Sequence, residues 1–280
     1  MEISNRQTRD LSWCIHQPAL VSAGKDERNI IFPDDSWFAS QAIDSSIELE
    51  QPPEYFRLGI YFEQIFQRWL ECHGDYRLIE ANLQIQGEGR TLGEFDLLVD
   101  VNGEVEHWEL AVKFYINRFA PTQADQWFGP DPKDTLATKL HRLQNHQLLL
   151  ADHPDAQAML DQKNIQVSHR RCIVKGRLYH PWQTEQELPE IVNTNHLRGW
   201  WLASEDHGKL ETYRIAYLSK KYWLSNLTEY DTPLLLTQKE LIEFLAETTQ
   251  IAPQFALLDE NSRELSRGFL LKPKWFELAK

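Results

Sequence analysis

Two carboxylates, Asp96 and Glu109, stand out as the pair best placed to do chemistry. Each sits in a short run of alternating apolar and polar residues, the pattern of a half-buried strand. Alternation puts Glu94, Asp96, Leu98 and Asp100 on one face of the first run, with Phe95, Leu97 and Val99 on the other. In the second run His107, Glu109, Ala111, Lys113 and Tyr115 share a face, opposed by Trp108, Leu110, Val112 and Phe114. Between the runs lies Asn102-Gly103, the strongest two-residue hairpin signal in the chain. A hairpin there brings Asp96 beside Glu109 wherever the two polar faces coincide. Carboxylates in a mostly apolar sheet are costly unless something pairs with them, and a hard divalent cation is one such partner. The alternative is a solvated sheet face on which Glu109 and Lys113 are exposed and Asp96 pairs with a cationic side chain.

The elements that position this pair can be read outward from it. Tyr55, Leu58, Phe62, Ile65 and Trp69 recur at steps of three and four, predicting an amphipathic helix with one buried stripe. Gly74-Asp75 turns the chain into strands expected over Tyr76–Gln86, Glu94–Val101 and Glu104–Tyr115, with a loop from Gly87 to Gly93. A helix over Asp134–Leu150 and a strand over Ile165–Leu178 follow. Upstream, a helix is expected over about Arg6–Leu20, then a polar stretch that ends in Pro52-Pro53. Downstream, Gly199–Ala203 and Glu211–Tyr217 read as strands, and Thr237 with Glu240 forms a capping box opening a helix to about Thr248. The expectation is an α/β protein with a mixed sheet flanked by helices. It divides into an N-terminal helical extension (1–54), a core (55–180) and a C-terminal α+β region (181–280) packed on that core.

Gly93-Glu94-Phe95-Asp96-Leu97-Leu98-Val99, the hairpin, and His107-Trp108-Glu109-Leu110-Ala111-Val112-Lys113 resemble the PD-(D/E)XK, or restriction-endonuclease-like, nuclease superfamily. More closely, Leu58–Glu63, Arg90–Asp96, His107–Tyr115 and Trp127-Phe128-Gly129-Pro130 resemble a bacterial family described only as domain of unknown function 1853. The resemblance is dense over residues 55–150. It implies a core of helix, three strands, helix and strand, and Mg²⁺-dependent hydrolysis of nucleic acid, DNA foremost, with Mn²⁺ as a substitute ion. It gives Asp96 and Glu109 the role of metal ligands together with the Leu110 carbonyl, and it implies that Glu63 on the first helix faces the metal, the alternative being an exposed glutamate on a solvated helix face. The motif's lysine belongs two residues after Glu109, where this chain has Ala111. Lys113, roughly 13 Å from Glu109 at the Cα level, is one replacement. Lys139 is another, and a nuclease fold that binds nucleic acid or a protein partner without cutting is the third outcome.

Further basic residues suggest where nucleic acid would lie. His169 to Arg177 holds Arg170, Arg171, Lys175 and Arg177 with no acid, and on a strand Arg171, Lys175 and Arg177 share a face. These, with Lys139, are the expected phosphate contacts. Lys139, Arg142 and His146 repeat at helical spacing and line a substrate groove or a solvated helix face. Gln84 and Gln86 contact phosphate or decorate an exposed sheet edge.

Bulk properties narrow the field. With 42 acidic against 29 basic residues the formal charge is −13, which argues against a general nucleic-acid coat. A local basic strip can still serve a nuclease. The three cysteines, Cys14, Cys72 and Cys172, form no CxxC pair and suggest neither zinc nor a disulfide framework. No GxGxxG, HExxH or GxSxG motif is present. No apolar run approaches the roughly 18 residues that span a bilayer, and the first residues lack a signal peptide's apolar stretch. The expectation is a cytoplasmic protein.

Overall fold

The computed structural model describes residues 5–22, 29–44, 46–52, 56–87, 89–184 and 186–280. Tyr55 and Pro53, used above to place the first core helix, lie outside them. The elements in chain order are α1 (Arg6–His16), β1 (Ile30–Ile31), α2 (Asp35–Ser40), α3 (Leu58–Glu71), β2 (Tyr76–Gly87), β3 (Arg90–Val101) and β4 (Glu104–Asn117). Then come β5 (Trp127–Phe128), α4 (Leu136–Arg142), α5 (Pro154–Gln162), β6 (Val167–Pro181), β7 (Leu197–Ala203) and β8 (Arg214–Tyr217). The chain ends with β9 (Leu234–Leu236), α6 (Gln238–Glu247), β10 (Gln254–Leu258), β11 (Glu264–Leu271) and α7 (Pro273–Leu278).

One mixed sheet of 11 strands carries them, in the order β2-β3-β4-β6-β7-β11-β10-β8-β9, with β1 beside β6 and β5 beside β4. β2, β3 and β4 form an antiparallel meander; β4, β6, β7 and β11 run parallel; β11, β10, β8 and β9 are antiparallel again. A parallel neighbour requires a crossover, and α4 and α5 lie in the connection from β4 to β6. No helix among the described residues is long and apolar enough to cross a membrane.

Helices cover both faces of the β4–β6 region. The stripe Phe62, Ile65, Phe66 and Trp69 of α3 packs with Leu97, Val99, Trp108, Leu110 and Ile173. On the opposite face Leu136, Leu140 and Leu143 pack with Ala111, Tyr115, Cys172 and Val174. Gly176 is what lets β4 and β6 meet there: its φ is +146°, and a Cβ would lie 1.7 Å from the Lys113 carbonyl oxygen.

Several expectations are revised. The sheet continues across Pro181, because Arg177–Pro181 of β6 pairs with Leu197–Trp201 of β7, so residues beyond 181 extend the core sheet rather than append to it. The N-terminal segment contributes a strand, β1, as well as helices. The helix expected over Asp134–Leu150 is α4, then a π-helical turn at Leu143–Gln147 and a 3₁₀ turn at Leu150–Asp152. Alternation in β3 also breaks: Leu97 and Val99 join the α3 core, whereas Phe95 packs in the cluster of Leu98 and sets its ring edge-on to His107 at 4.7 Å.

Candidate functional site

The hairpin does the positioning. β3 pairs with β4 from Val101↔Glu104 to Leu97↔Trp108. Just past that last pair, the Asp96 carboxylate takes over the role of the missing ladder partner, accepting a 2.8 Å hydrogen bond from the Leu110 amide. In an extended strand the amide and carbonyl of one residue face the same neighbour, so the Leu110 carbonyl is turned toward Asp96 as well.

Glu109 is fully buried. One of its oxygens lies 3.3 Å from His107 Nε2, and the other, Oε2, has no hydrogen-bond partner among the described residues. Burial pushes the Glu109 carboxyl up to about 8, with Lys139 opposing the shift and Glu94 adding to it. Burial also lifts Asp96 to about 7, reinforced by repulsion from Glu109 and opposed by the Leu110 hydrogen bond. Glu63 of α3 rises to about 7 through burial and the charges of Asp96, Glu94 and Glu109. The fold thus gathers Glu63, Glu94, Asp96 and Glu109 into one electrostatic cluster. Lys139 is a cation that Glu63, Asp96 and Glu109 share; burial lowers its pKa while Glu109 and Asp96 raise it.

Lys139 and Lys113 part company here. Lys113 Nζ is held at 2.6 Å by Asp134. Lys139 instead donates to Gln147 Oε1 at 2.9 Å. The π turn makes that contact geometrically natural: eight positions apart, the two residues would diverge by about 80° on a regular helix, and the extra residue of the wide Leu143–Leu148 turn returns them to one face.

The strip Arg171, Lys175 and Arg177 does share one face of β6, but that face is interior. All three side chains are buried. Arg171 makes a two-pronged ion pair with Glu106 at 2.7 and 2.9 Å and lies over Trp37 and Trp108. Lys175 donates to the Ile15 and Gln17 carbonyls above the Phe38 ring. Arg177 donates to the Arg198 carbonyl. These cations tie the N-terminal segment to the sheet and hold the β7 backbone against β6, and they are not available to phosphate. Gln84 and Gln86 are exposed on the edge strand β2.

His107 is a member of the site that spacing alone did not single out. It is fully buried between Phe95 and Glu109, and its Nδ1 has no partner among the described residues. When Glu109 is ionised, the Nε2–H tautomer donates to it and fixes one carboxylate oxygen. The available signal was its place two residues before Glu109 on the same strand face.

The sequence model of a family described as Domain of unknown function (DUF1853) matches residues 9–271. The chain belongs to that family. No curated protein and no solved structure matches it. The DUF1853 match spans α1 through β11, so the family's extent is the whole sheet and not only the β3–β4 hairpin.

The raised carboxyls make a pH prediction for this DUF1853 chain. A carboxyl with a raised folded pKa holds its proton more tightly when folded; that stabilisation is complete below about pH 4 and is lost as pH climbs through 7 to 8. Buried neutral His107, His180 and His196, lowered to about 4, 3 and 4, act oppositely, but only below about pH 6.5. Between pH 6.5 and 9 the buried Lys139 and Lys175, their pKa values lowered by burial, act against the carboxyls, so the carboxyl part is read as the difference between wild type and an Asp96→Asn/Glu109→Gln protein. Urea midpoints in EDTA should fall across that window by on the order of 2 kcal/mol from Asp96 and Glu109, the half-exposed Glu63 being left out because solvent screens it. No pH-dependent difference between the two proteins there would mean the two carboxyls are not held as a repelling buried pair.

Proposed function

We propose that the chain is a divalent-metal-dependent nuclease with a restriction-endonuclease-like core. The observation that carries this reading is the set of groups at the end of the β3–β4 ladder: a buried Glu109 whose Oε2 has no partner among the described residues, Asp96 close enough to be repelled by it, and the Leu110 backbone, whose amide donates to Asp96 and whose carbonyl lies on the same side of β4. The order of α3, the antiparallel β2-β3-β4 meander, a crossover with α4, and a parallel β6 also suits that core.

The residues fit a hard cation. Among the described residues no three His, Cys, Asp or Glu side chains are grouped to hold a metal. A cation here would rest on two carboxylates, one carbonyl and water, the pattern typical of Mg²⁺, with Mn²⁺ similar in its choice of oxygen ligands. Such an ion, when bound, polarises a phosphate and lowers the pKa of an attacking water. Asp96 and Glu109 would hold it. His107 keeps one Glu109 oxygen occupied, and the other would be available to the ion. Lys139 supplies positive charge beside the reacting phosphate. Glu63, close enough to feel both carboxylates, would accept a proton from water.

The test is incubation of the purified protein with labelled single-stranded, duplex and branched DNA and RNA in Mg²⁺, Mn²⁺ or EDTA. Cleavage that depends on metal and is lost in Asp96→Asn supports the reading; no cleavage of any substrate removes it. The rival reading, a fold that binds nucleic acid or a protein partner without cutting, draws on Ala111 and on the tie of Lys113 to Asp134. The lysines decide between them. Lys139→Ala should slow cleavage about a hundredfold, the usual loss for one transition-state donor, with Mn²⁺ affinity little changed. Lys113→Ala should stay within about fivefold of wild type, since its charge is spent on Asp134. The reverse ranking in single-turnover rates would return the role to β4.

A further inference from the structure

Asp96 and Glu94 form one end of a cleft of about 750 Å³. Its walls are the start of β3, with Arg90 and Leu92, and the segment from the end of α4 to the start of α5, with Arg142, His146, Gln147 and His153. Gly93 lets the two walls close together at the base, because a Cβ there would sit 3.0 Å from the Leu150 side chain.

Charge in this cleft is arranged in two zones. The Glu94 and Asp96 carboxylates lie at one end, and exposed cationic or imidazole side chains stand along the walls beside Asp152, whose carboxylate is paired with Arg170. Some surface arginines in this acid-rich chain meet carboxylates, Arg68 with Glu71 at 2.9 Å, Arg77 with Asp100 at 2.6 Å and Arg263 with Glu229 at 3.1 Å, whereas the exposed Arg57 and Arg198 have no ion pair among the described residues. The Arg90 and Arg142 guanidiniums have no ion pair, hydrogen bond or ring contact among the described residues. Both line a cleft that reaches Asp96, one of the candidate metal ligands.

We propose that this cleft seats an unpaired nucleic-acid strand, with Arg90 and Arg142 holding its phosphates on the way to Asp96. The assignment rests on the nuclease reading of Asp96 and Glu109 and adds the form of the substrate to it. Size argues for one strand: about 750 Å³ falls within the roughly 300–1,000 Å³ of small-ligand pockets, whereas a duplex presents a major groove alone about 12 Å wide. Chemistry argues the same way. The exposed His146 and His153 rings offer planes on which a splayed base can stack, and the Gln147 amide offers hydrogen bonds to a base edge. Bases inside a duplex present neither their faces nor their pairing edges to such groups.

The experiment is fluorescence anisotropy in EDTA, where cleavage is off. It uses one short labelled DNA oligonucleotide, alone and annealed to its complement, over a range of salt. Wild type should bind the single strand at least tenfold more tightly than the duplex. The Arg90→Gln/Arg142→Gln double variant should lose about a further tenfold on the single strand. Its log-affinity against log-salt slope should flatten by about 1.4, since each single-strand phosphate contact contributes about 0.7. Exposed substitutions of this kind should leave the urea midpoint within about 0.5 kcal/mol of wild type, so lost binding is not lost folding. Duplex bound as tightly as single strand, or a double variant with wild-type affinity and slope, overturns the proposal. The two readings fail separately: metal-dependent cleavage with unaltered variant binding overturns the cleft assignment alone, and weakened variant binding without cleavage in any metal overturns the nuclease reading alone.

Discussion

Glu109→Gln and Asp96→Asn proteins should melt several degrees above wild type in EDTA at pH 8, and should cleave nucleic acid at least about a thousandfold more slowly in Mg²⁺. The two effects share one cause. Without a cation, a buried carboxylate at Glu109 faces a second at Asp96, and folding must either dehydrate both charges or take up protons that the unfolded chain does not hold at that pH. A glutamine in place of Glu109 has the same shape, still accepts from His107 Nε2, and carries no charge. Relief of about 2 kcal/mol corresponds to roughly 4 °C for a chain of this size. On the proposed nuclease reading the same substitution removes a metal ligand, and losing several kcal/mol of charge stabilisation costs on the order of 10³ in rate. Thermal melting in EDTA and in excess Mg²⁺, paired with single-turnover cleavage, checks both halves. Variants that melt below wild type in EDTA would mean the pair contributes to stability instead of opposing it.

Arg171→Ala should cost about 3–5 kcal/mol of stability, because it leaves Glu106 charged and buried with no ion-pair partner. The remaining donor, Trp108 Nε1 at 2.7 Å, is neutral and cannot balance the charge. The packing of the guanidinium over Trp37 and Trp108 is lost in the same change. Adding Glu106→Gln should recover part of the loss, since the amide keeps a hydrogen bond acceptor for Trp108 without the charge. Urea midpoints of the wild type, both single variants and the double variant measure this directly. An Arg171→Ala protein as stable as wild type but weaker on nucleic acid would restore the strip to the surface.

That strip shows where sequence patterning reaches its limit. Alternation placed Arg171, Lys175 and Arg177 on one face of β6 correctly, but it carries no information about what covers that face. β6 lies in the sheet interior between β4 and β7, with α1 and α2 above it, so charges that look like a phosphate ribbon are instead anchors for the N-terminal segment. The opposite outcome holds for α3, whose stripe of Phe62, Ile65 and Trp69 could be read because one face of a helix must be apolar to pack. The Asn102-Gly103 turn and the Thr237–Glu240 capping box were legible for a similar reason: both are local, and Asn102 has φ +56° as that turn requires. The lysine was only half legible. Spacing offered Lys113 and Lys139 alike, and two tertiary facts separate them, the Asp134 contact and the π turn that sets Lys139 against Gln147. His107 escaped notice because a lone histidine in a strand is ordinary until its neighbours are known.

Calorimetric titration of the metal-free protein with Mn²⁺ at pH 8 tests the central claim, a cation site built from Asp96 and Glu109, most directly. The account predicts one Mn²⁺ per chain in wild type, with proton release because raised carboxyls must ionise to bind it. It predicts unchanged binding in Lys113→Ala and no measurable binding in Glu109→Gln. Equal Mn²⁺ binding by wild type and Glu109→Gln, or none by either, would contradict it.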